Sequence, residues 1–401
     1  MSKPEFLSFS SSELMPQEEV LEVKTSKSEL NIGIPREVFR QEKRVGLTPD
    51  AVQLLVNNGH KVLIEKGAGE GANYSDKDYE DAGGEISYSK AKVFQSDIIL
   101  KIEPPSLEEI ELMKHRQTLI SALQLRTQNK DYFQKLMDKK ITALSFENIA
   151  DESGIIPVVR SMSEIAGSTS VLVAAECLSN ANDGKGYMLG GVSGIPPTDV
   201  VIIGAGTVGV YAAKTALGLG ATVKVFDKSV TKLRRLQGIL NMPIYTCVIQ
   251  PKILEKALMR CDVAIGAIRS ESGRTPTVVT DDMVSKMKAG SVIIDISIDQ
   301  GGCFETSELC DLDKPTFKKY DVIHYCVPNI ASRVSRTASF SLSNVLAPLI
   351  LSIGDAGGVE EIVKQNSGVN RGLYICKGIL VSKAIGDAFD LPFAEDSRLL
   401  Y

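Results

Sequence analysis

The chain has 401 residues, enough for two domains. It is 43% hydrophobic and 24% charged, as globular proteins are, and its net charge of −5 argues against the positive face that nucleic-acid phosphates require. No 18-residue uninterrupted apolar run and no N-terminal apolar signal core occur, so a cytoplasmic protein without a membrane span is expected.

Residues 1–29, rich in Ser, Glu and Lys, read as an N-terminal arm, disordered or packed on a neighbouring subunit. Short apolar runs at 31–35, 61–65, 96–102, 118–123 and 141–145 then alternate with helical stretches such as 49–58 and 131–139. That alternation predicts a parallel sheet covered by helices on both faces. A long small-residue helix at 162–180 leads into a Gly-rich loop at 183–194 and the Pro196-Pro197 break. A second series follows, with strands at 199–203, 222–226, 262–266, 291–296 and 321–325. Its helices fall at 208–219, around 251–260, and at 281–288. Helices are expected again at 341–351 and 360–365, then an extended segment at 373–380. The fold class is therefore α/β with two Rossmann-like units. Seven cysteines show neither CxxC pairs nor metal-ligand spacing, which predicts reduced, mostly buried thiols and no metal centre. The three histidines are His60, His115 and His324.

The apolar β-branched run Val200-Val201-Ile202-Ile203 leads directly into Gly204-Ala205-Gly206-Thr207-Val208-Gly209 and then a helical pattern. The three glycines serve different ends. Gly204 turns the chain, Gly206 admits a pyrophosphate, and Gly209 lets helix and strand pack. The helix N-terminus at Thr207 and Val208 favours the negative diphosphate. The next strand ends at Asp227, whose carboxylate suits the adenosine ribose hydroxyls and repels a 2′-phosphate, selecting NAD. Lys228 and Lys232 lie beside that end of the cofactor and weaken the selection, since either is able to meet a 2′-phosphate. Beyond the carboxyl ends of later strands come 266–270, with Ile268, then 297–302, with Asp299, and 327–331, with Asn329.

These segments, with Ile32-Gly33-Ile34-Pro35-Arg36-Glu37, Lys43-Arg44-Val45, Thr48-Pro49, Gly67-Ala68-Gly69-Glu70-Gly71, Met162-Ser163-Glu164-Ile165-Ala166-Gly167, Gly190-Gly191-Val192, Asp299-Gln300-Gly301-Gly302-Cys303-Phe304-Glu305 and Val327-Pro328-Asn329, resemble the alanine dehydrogenase family, which includes the NAD-binding domain of proton-translocating transhydrogenase. The resemblance spans 30–401. It implies a central NAD-binding domain (158–334) and a discontinuous substrate domain (30–157, completed by 335–401). It also implies hexameric assembly and a small amino-acid or keto-acid substrate in the cleft between the domains. By the same resemblance Arg44 holds the substrate carboxylate, Asp299 takes part in proton transfer, Met162 and Ser163 line the nicotinamide side, and Asn329 contacts the cofactor.

Two positions depart from the family. A lysine is replaced by Glu103 and a histidine by Gln124, and strand alternation puts Lys101 on the same face as Glu103. Glutamine cannot exchange a proton as histidine does. An Arg44–Glu103 pair is therefore expected, with Glu103 alternatively holding a substrate ammonium or acting as base. Three readings stand: an alanine dehydrogenase with altered proton-handling residues, an NAD-dependent dehydrogenase of another amino or imino acid of the saccharopine class, and a non-catalytic NAD-binding or transhydrogenase-like protein.

Overall fold

The computed structural model describes residues 28–39, 41–270 and 273–394. Of the N-terminal arm only Ser28 and Glu29 fall within them, and the Ser28 N–H donates to the Gly354 carbonyl at 3.1 Å.

Two sheets organise the chain. The first takes β1 (Asn31–Ile34), β2 (Lys61–Glu65), β3 (Glu85–Ser87), β4 (Ile98–Leu100), β5 (Thr118–Ser121) and β6 (Thr142–Ser145). The second takes β7 (Asp199–Ile203), β8 (Thr222–Asp227), β9 (Tyr245–Val248), β10 (Val263–Gly266), β11 (Val292–Asp295), β12 (Thr316–Lys319) and β13 (Val322–Tyr325). The chain then returns to the first sheet as the hairpin β14 (Leu373–Cys376) and β15 (Ile379–Leu380). The orders are β15-β14-β6-β5-β4-β1-β2-β3 and β12-β13-β11-β10-β7-β8-β9. Each sheet is parallel except where β14, β15 and β12 join it. The extended segment expected at 373–380 is thus a hairpin, turned at Lys377 and Gly378, both with positive φ.

Both faces of each sheet are buried, which is why the central strands read as unbroken apolar runs. In β4, Ile98 and Leu100 enter one core cluster while Ile99 enters the one across the sheet. In β7, Val200 and Ile202 divide from Val201 and Ile203 in the same way. Each fully buried Ile or Val contributes about 1.5–3 kcal/mol of transfer free energy.

Two long helices link the sheets. The helix Pro157–Leu178 opens on a proline at its first turn and packs along Thr207–Gly218. A Cβ on Gly167 would stand 2.3 Å from the Val208 carbonyl, so this close crossing needs the glycine. The helix Ser335–Asp355 begins six residues before the expected 341 and continues through Pro348. With the preceding turn it is long and apolar enough to span a membrane by length and composition. One face, including Leu342, Leu346, Ile350 and Ile353, is nevertheless buried in the first core.

Candidate functional site

The segments that follow the carboxyl ends of β1 and β13 touch through Glu42–Asn329 and Lys43–Ser332, at the strand ends where open α/β sheets place their ligands.

On the second sheet, Gly204 has φ +117°, a conformation that disfavours any side chain, and its Cβ would lie 2.4 Å from the Ala267 carbonyl oxygen. A Cβ on Gly209 would lie 1.8 Å from the Gly204 carbonyl oxygen. Gly206 is different: its φ is −73° and a Cβ there would meet nothing within 4 Å. The free space lies at the N-terminus of Thr207–Gly218, whose first N–H groups, those of Thr207 and Val208 among them, have no carbonyl to bond within the helix. Asp227 is buried at the end of β8 and accepts from the Ala205 and Ser229 N–H groups, each at 2.7 Å. It thereby ties the glycine turn to the neighbouring strand. Lys232 is exposed on the helix Val230–Leu240, and Arg235 of that helix donates to the Ala205 carbonyl at 3.4 Å. These residues fit a dinucleotide: room at Gly206, unpaired helix N–H groups for the diphosphate, and a carboxylate at the ribose end.

The loop after β11 is held by Asp295. This buried carboxylate accepts from the N–H groups of Ser297 (3.0 Å) and Cys303 (2.9 Å) and from the Ser307 hydroxyl (2.7 Å). The Ser297 hydroxyl in turn accepts the Ile268 N–H at 3.0 Å. Asp299 projects from this loop and accepts the Asn329 N–H at 2.9 Å. Its side chain is exposed to solvent, with protein atoms crowded around it. The solvation those atoms displace raises its pKa, opposed by the Asn329 N–H and Arg44. Asn329 itself is in the left-handed region, φ 54°.

On the first sheet, the loop after β1 carries Glu37, Glu42 and Arg44. Arg44 and Glu42 form a two-pronged pair, Nε to Oε1 at 2.8 Å and Nη2 to Oε2 at 2.6 Å. Arg44 Nη1 reaches Met162 Sδ at 3.4 Å. The expected Arg44–Glu103 pair is thus displaced: the direct partner is Glu42, two residues away and already in fork geometry. Burial works to raise the Glu42 pKa, but the Arg44 guanidinium outweighs it and holds the carboxyl below its usual range. Glu42 also accepts the Asn329 side-chain amide at 2.8 Å, so the two sheets are stitched at this carboxylate. The Ser163 hydroxyl bonds back to the Val159 carbonyl of its own helix at 2.7 Å.

Glu103 follows β4 and Gln124 follows β5, and the Gln124 side-chain amide donates to Glu103 Oε2. Gln124 is left-handed (φ 45°), and its N–H is held by Glu147 Oε1 at 3.0 Å. Burial, then the charge of Glu42, push the Glu103 carboxyl up to about 8, and the two side chains share a hydrogen bond. Lys101 does not reach this cluster. It is buried between Glu37 (3.1 Å) and Glu109 (3.3 Å), while Glu37 Oε1 accepts the Ile102 N–H at 2.7 Å and so fixes the approach to Glu103. His324 is buried against Thr306 and Phe317, His60 lies beside Leu30, and His115 is exposed. None of the seven cysteines is in a disulfide.

The structure brings Arg44, Asp299 and Asn329, all named from the sequence, together through Glu42, which the sequence reading leaves without a role, as it does Asp295. Glu42 lies in the polar run Gln41-Glu42-Lys43 with no periodic signal, and its partner Asn329 is 287 residues away. Asp295, by contrast, ends an apolar strand before a Gly-rich loop, a signal that was available.

The family model of the alanine dehydrogenase/PNT N-terminal domain matches residues 33–166, and that of the C-terminal domain matches 170–383. Alanine dehydrogenase 2 of Staphylococcus aureus strain MRSA252 is 38% identical over 373 residues, covering 93% of this chain and 100% of the relative. A solved L-alanine dehydrogenase superposes with a TM-score of 0.84 at 34% identity, over 90% of this chain and 99% of its own. A transhydrogenase from Sinorhizobium meliloti shares the fold, with a TM-score of 0.76 at 23% identity over 88% of this chain and 99% of its own. The chain belongs to the alanine dehydrogenase/PNT family of NAD-dependent oxidoreductases.

Proposed function

We propose that the protein catalyses the NAD-dependent oxidative deamination of an α-amino acid to its 2-oxo acid, with L-alanine and pyruvate as the pair. The observation that carries this reading is the convergence of Arg44 with Asp299 and Asn329 where the two sheets meet. When bound, NAD supplies the hydride acceptor. Gly204, Gly206, Thr207, Val208 and Gly209 would hold its diphosphate, Asp227 and Lys232 would flank its adenosine end, and Ser163, Ile268 and Asn329 would face its nicotinamide. Arg44 keeps Nη1 turned away from Glu42, where it orients the substrate carboxylate. Asp299, its pKa raised by the protein crowded around it, moves a proton to or from the water that attacks the substrate carbon. The same reading assigns 30–157 and 335–401 to substrate and 158–334 to NAD. It makes the protein a cytoplasmic homo-oligomer, a hexamer by resemblance, for which light scattering on purified protein is the test.

A screen of NAD reduction over L-amino acids, at neutral and alkaline pH, tests the activity. Alanine-dependent NADH formation is expected, reduced about a hundredfold or more in Asp299→Asn. Absence of turnover with every amino acid would remove the reading. A second reading rests on charge. Glu37 is paired with Lys101 and Glu42 with Arg44, so Glu103 alone has no cation of its own, and its carboxylate, once ionised, suits a substrate carrying an extra cation. Turnover of a cationic amino or imino acid but not alanine selects it.

A further inference from the structure

Arg44 sits among carboxyls contributed by different parts of the first sheet. Glu37 and Glu42 come from the loop after β1, and Glu103 follows β4. Glu42 is committed to Arg44 by three hydrogen bonds, two from the guanidinium and one from the backbone N–H, and to Asn329 by a fourth. Glu103 has no cation within ion-pair distance among the described residues. Its neighbours are the Glu42 carboxyl and the Gln124 amide. Two carboxyls in contact, with only one of them paired to an arginine, hold a proton between them because both cannot ionise cheaply at that separation.

The surroundings fix Glu103 on both sides. Glu37, itself paired with Lys101, accepts the Ile102 N–H and sets the backbone just before it. Gln124 is bent into the left-handed region and pinned there by Glu147, which brackets its turn by accepting both the Leu123 and Gln124 N–H groups. That strained turn aims the amide at Glu103, and a non-glycine residue keeps such a backbone only where its surroundings impose it.

We propose that Glu103, hydrogen-bonded to Glu42 and positioned by Gln124, is the residue that exchanges the substrate's ammonium proton. This role rests on the amino-acid dehydrogenase reading above. In the oxidative direction the ionised Glu103 takes one proton from the ammonium group. The nitrogen lone pair then forms the C=N bond as the Cα hydrogen departs with its electron pair to NAD. In the reverse direction Glu103 returns the proton to nitrogen. The groups facing Glu103 are Glu42, Arg44 and Glu37 from the β1 loop and Gln124 from the β5 turn. Asp299 stands across the junction, within the field of the same Arg44.

The pH dependence has a definite sign. Glu103 must be ionised to accept the proton, so kcat/KM for oxidation rises with pH through a midpoint near the value of about 8 set by burial and Glu42. Glu103→Gln should bind NAD as the wild type does, lose about a hundredfold in kcat, and lose that limb of the profile. Gln124→Ala removes a donor that stabilises the ionised form, so its midpoint should move up while NAD affinity holds. Independently of turnover, the infrared band of a protonated carboxyl should appear in the wild type below the midpoint, vanish above it, and be missing in Glu103→Gln. Retention of the limb in Glu103→Gln, or absence of that band, overturns the proposal. A wild type that oxidises no amino acid removes the parent reading and this role together. That result is told apart from failure of the role alone, because it shows before any variant is compared.

Discussion

An alanine methyl at Gly206 would meet no protein atom within 4 Å, whereas at Gly209 it would stand 1.8 Å from the Gly204 carbonyl oxygen. Gly206 also has an ordinary negative φ, so nothing inside the protein demands glycine there. Gly206→Ala should therefore leave the melting temperature unchanged or slightly higher, since the unfolded chain loses freedom worth about 0.4–1 kcal/mol. It should weaken NAD binding by about tenfold or more, about 1.4 kcal/mol. Gly209→Ala should instead cost about 2 kcal/mol or more of stability, because backbone must move. Calorimetric NAD titration and thermal melts separate the two, and equal loss of stability in both variants would refute the assignment. This turn was legible in the sequence because its requirements are local, a strand, three glycines and a helix within a short span. Glu42 was not, because its role is made by Arg44 on one side and by a residue 287 positions away on the other.

At the scale of elements, the loop bearing Arg44 is irregular, so its backbone donors need partners from elsewhere. Serines spaced along the 330–355 segment supply them. Ser332 Oγ accepts the Lys43 N–H at 2.9 Å, Ser339 Oγ the Val45 N–H at 2.9 Å, and Ser343 Oγ the Thr48 N–H at 2.7 Å. The Ser335 hydroxyl donates to the Gly71 carbonyl at 2.7 Å. The intervals of three and four residues put these hydroxyls on one helical face. Ser339→Ala should orphan the buried Val45 N–H at a cost of about 1–3 kcal/mol. It should also raise KM for the amino acid through a looser Arg44 while NAD affinity stays constant. A thermal melt indistinguishable from wild type would show that this serine does not hold the loop. The sequence reading started the helix at 341 because serines favour caps and turns and blur helical periodicity. It also passed over β3, β9 and β12. All three lie at or near sheet edges, are short, and carry charged or exposed residues such as Glu85, Tyr245 and Lys318. The central strands, buried on both faces, announced themselves as apolar runs.

For the whole molecule, the consequence of placing Glu42 and Arg44 on one sheet and Asp299 and Asn329 on the other is that neither ligand should bind independently. Asn329 is the contact through which this acts, since its N–H holds Asp299 and its side-chain amide holds the Glu42 that grips Arg44. A cofactor that orders Asn329 also orders the carboxylate anchor, and linkage requires the converse. A 2-oxo acid, which cannot be oxidised by NAD at this site, should therefore tighten NAD binding by about tenfold, or about 1.4 kcal/mol. Asn329→Gly is the informative variant. Glycine adopts the left-handed backbone of this position without strain, so the Asp299 contact survives while the link to Glu42 is lost. In that variant each ligand should still bind alone, with the coupling falling to about twofold or less. The ratio of NAD dissociation constants with and without saturating 2-oxo acid reads this directly, whatever the variant does to NAD affinity itself. Coupling that persists at its wild-type size in Asn329→Gly would mean that the sheets communicate through the long helices rather than through the Glu42 junction.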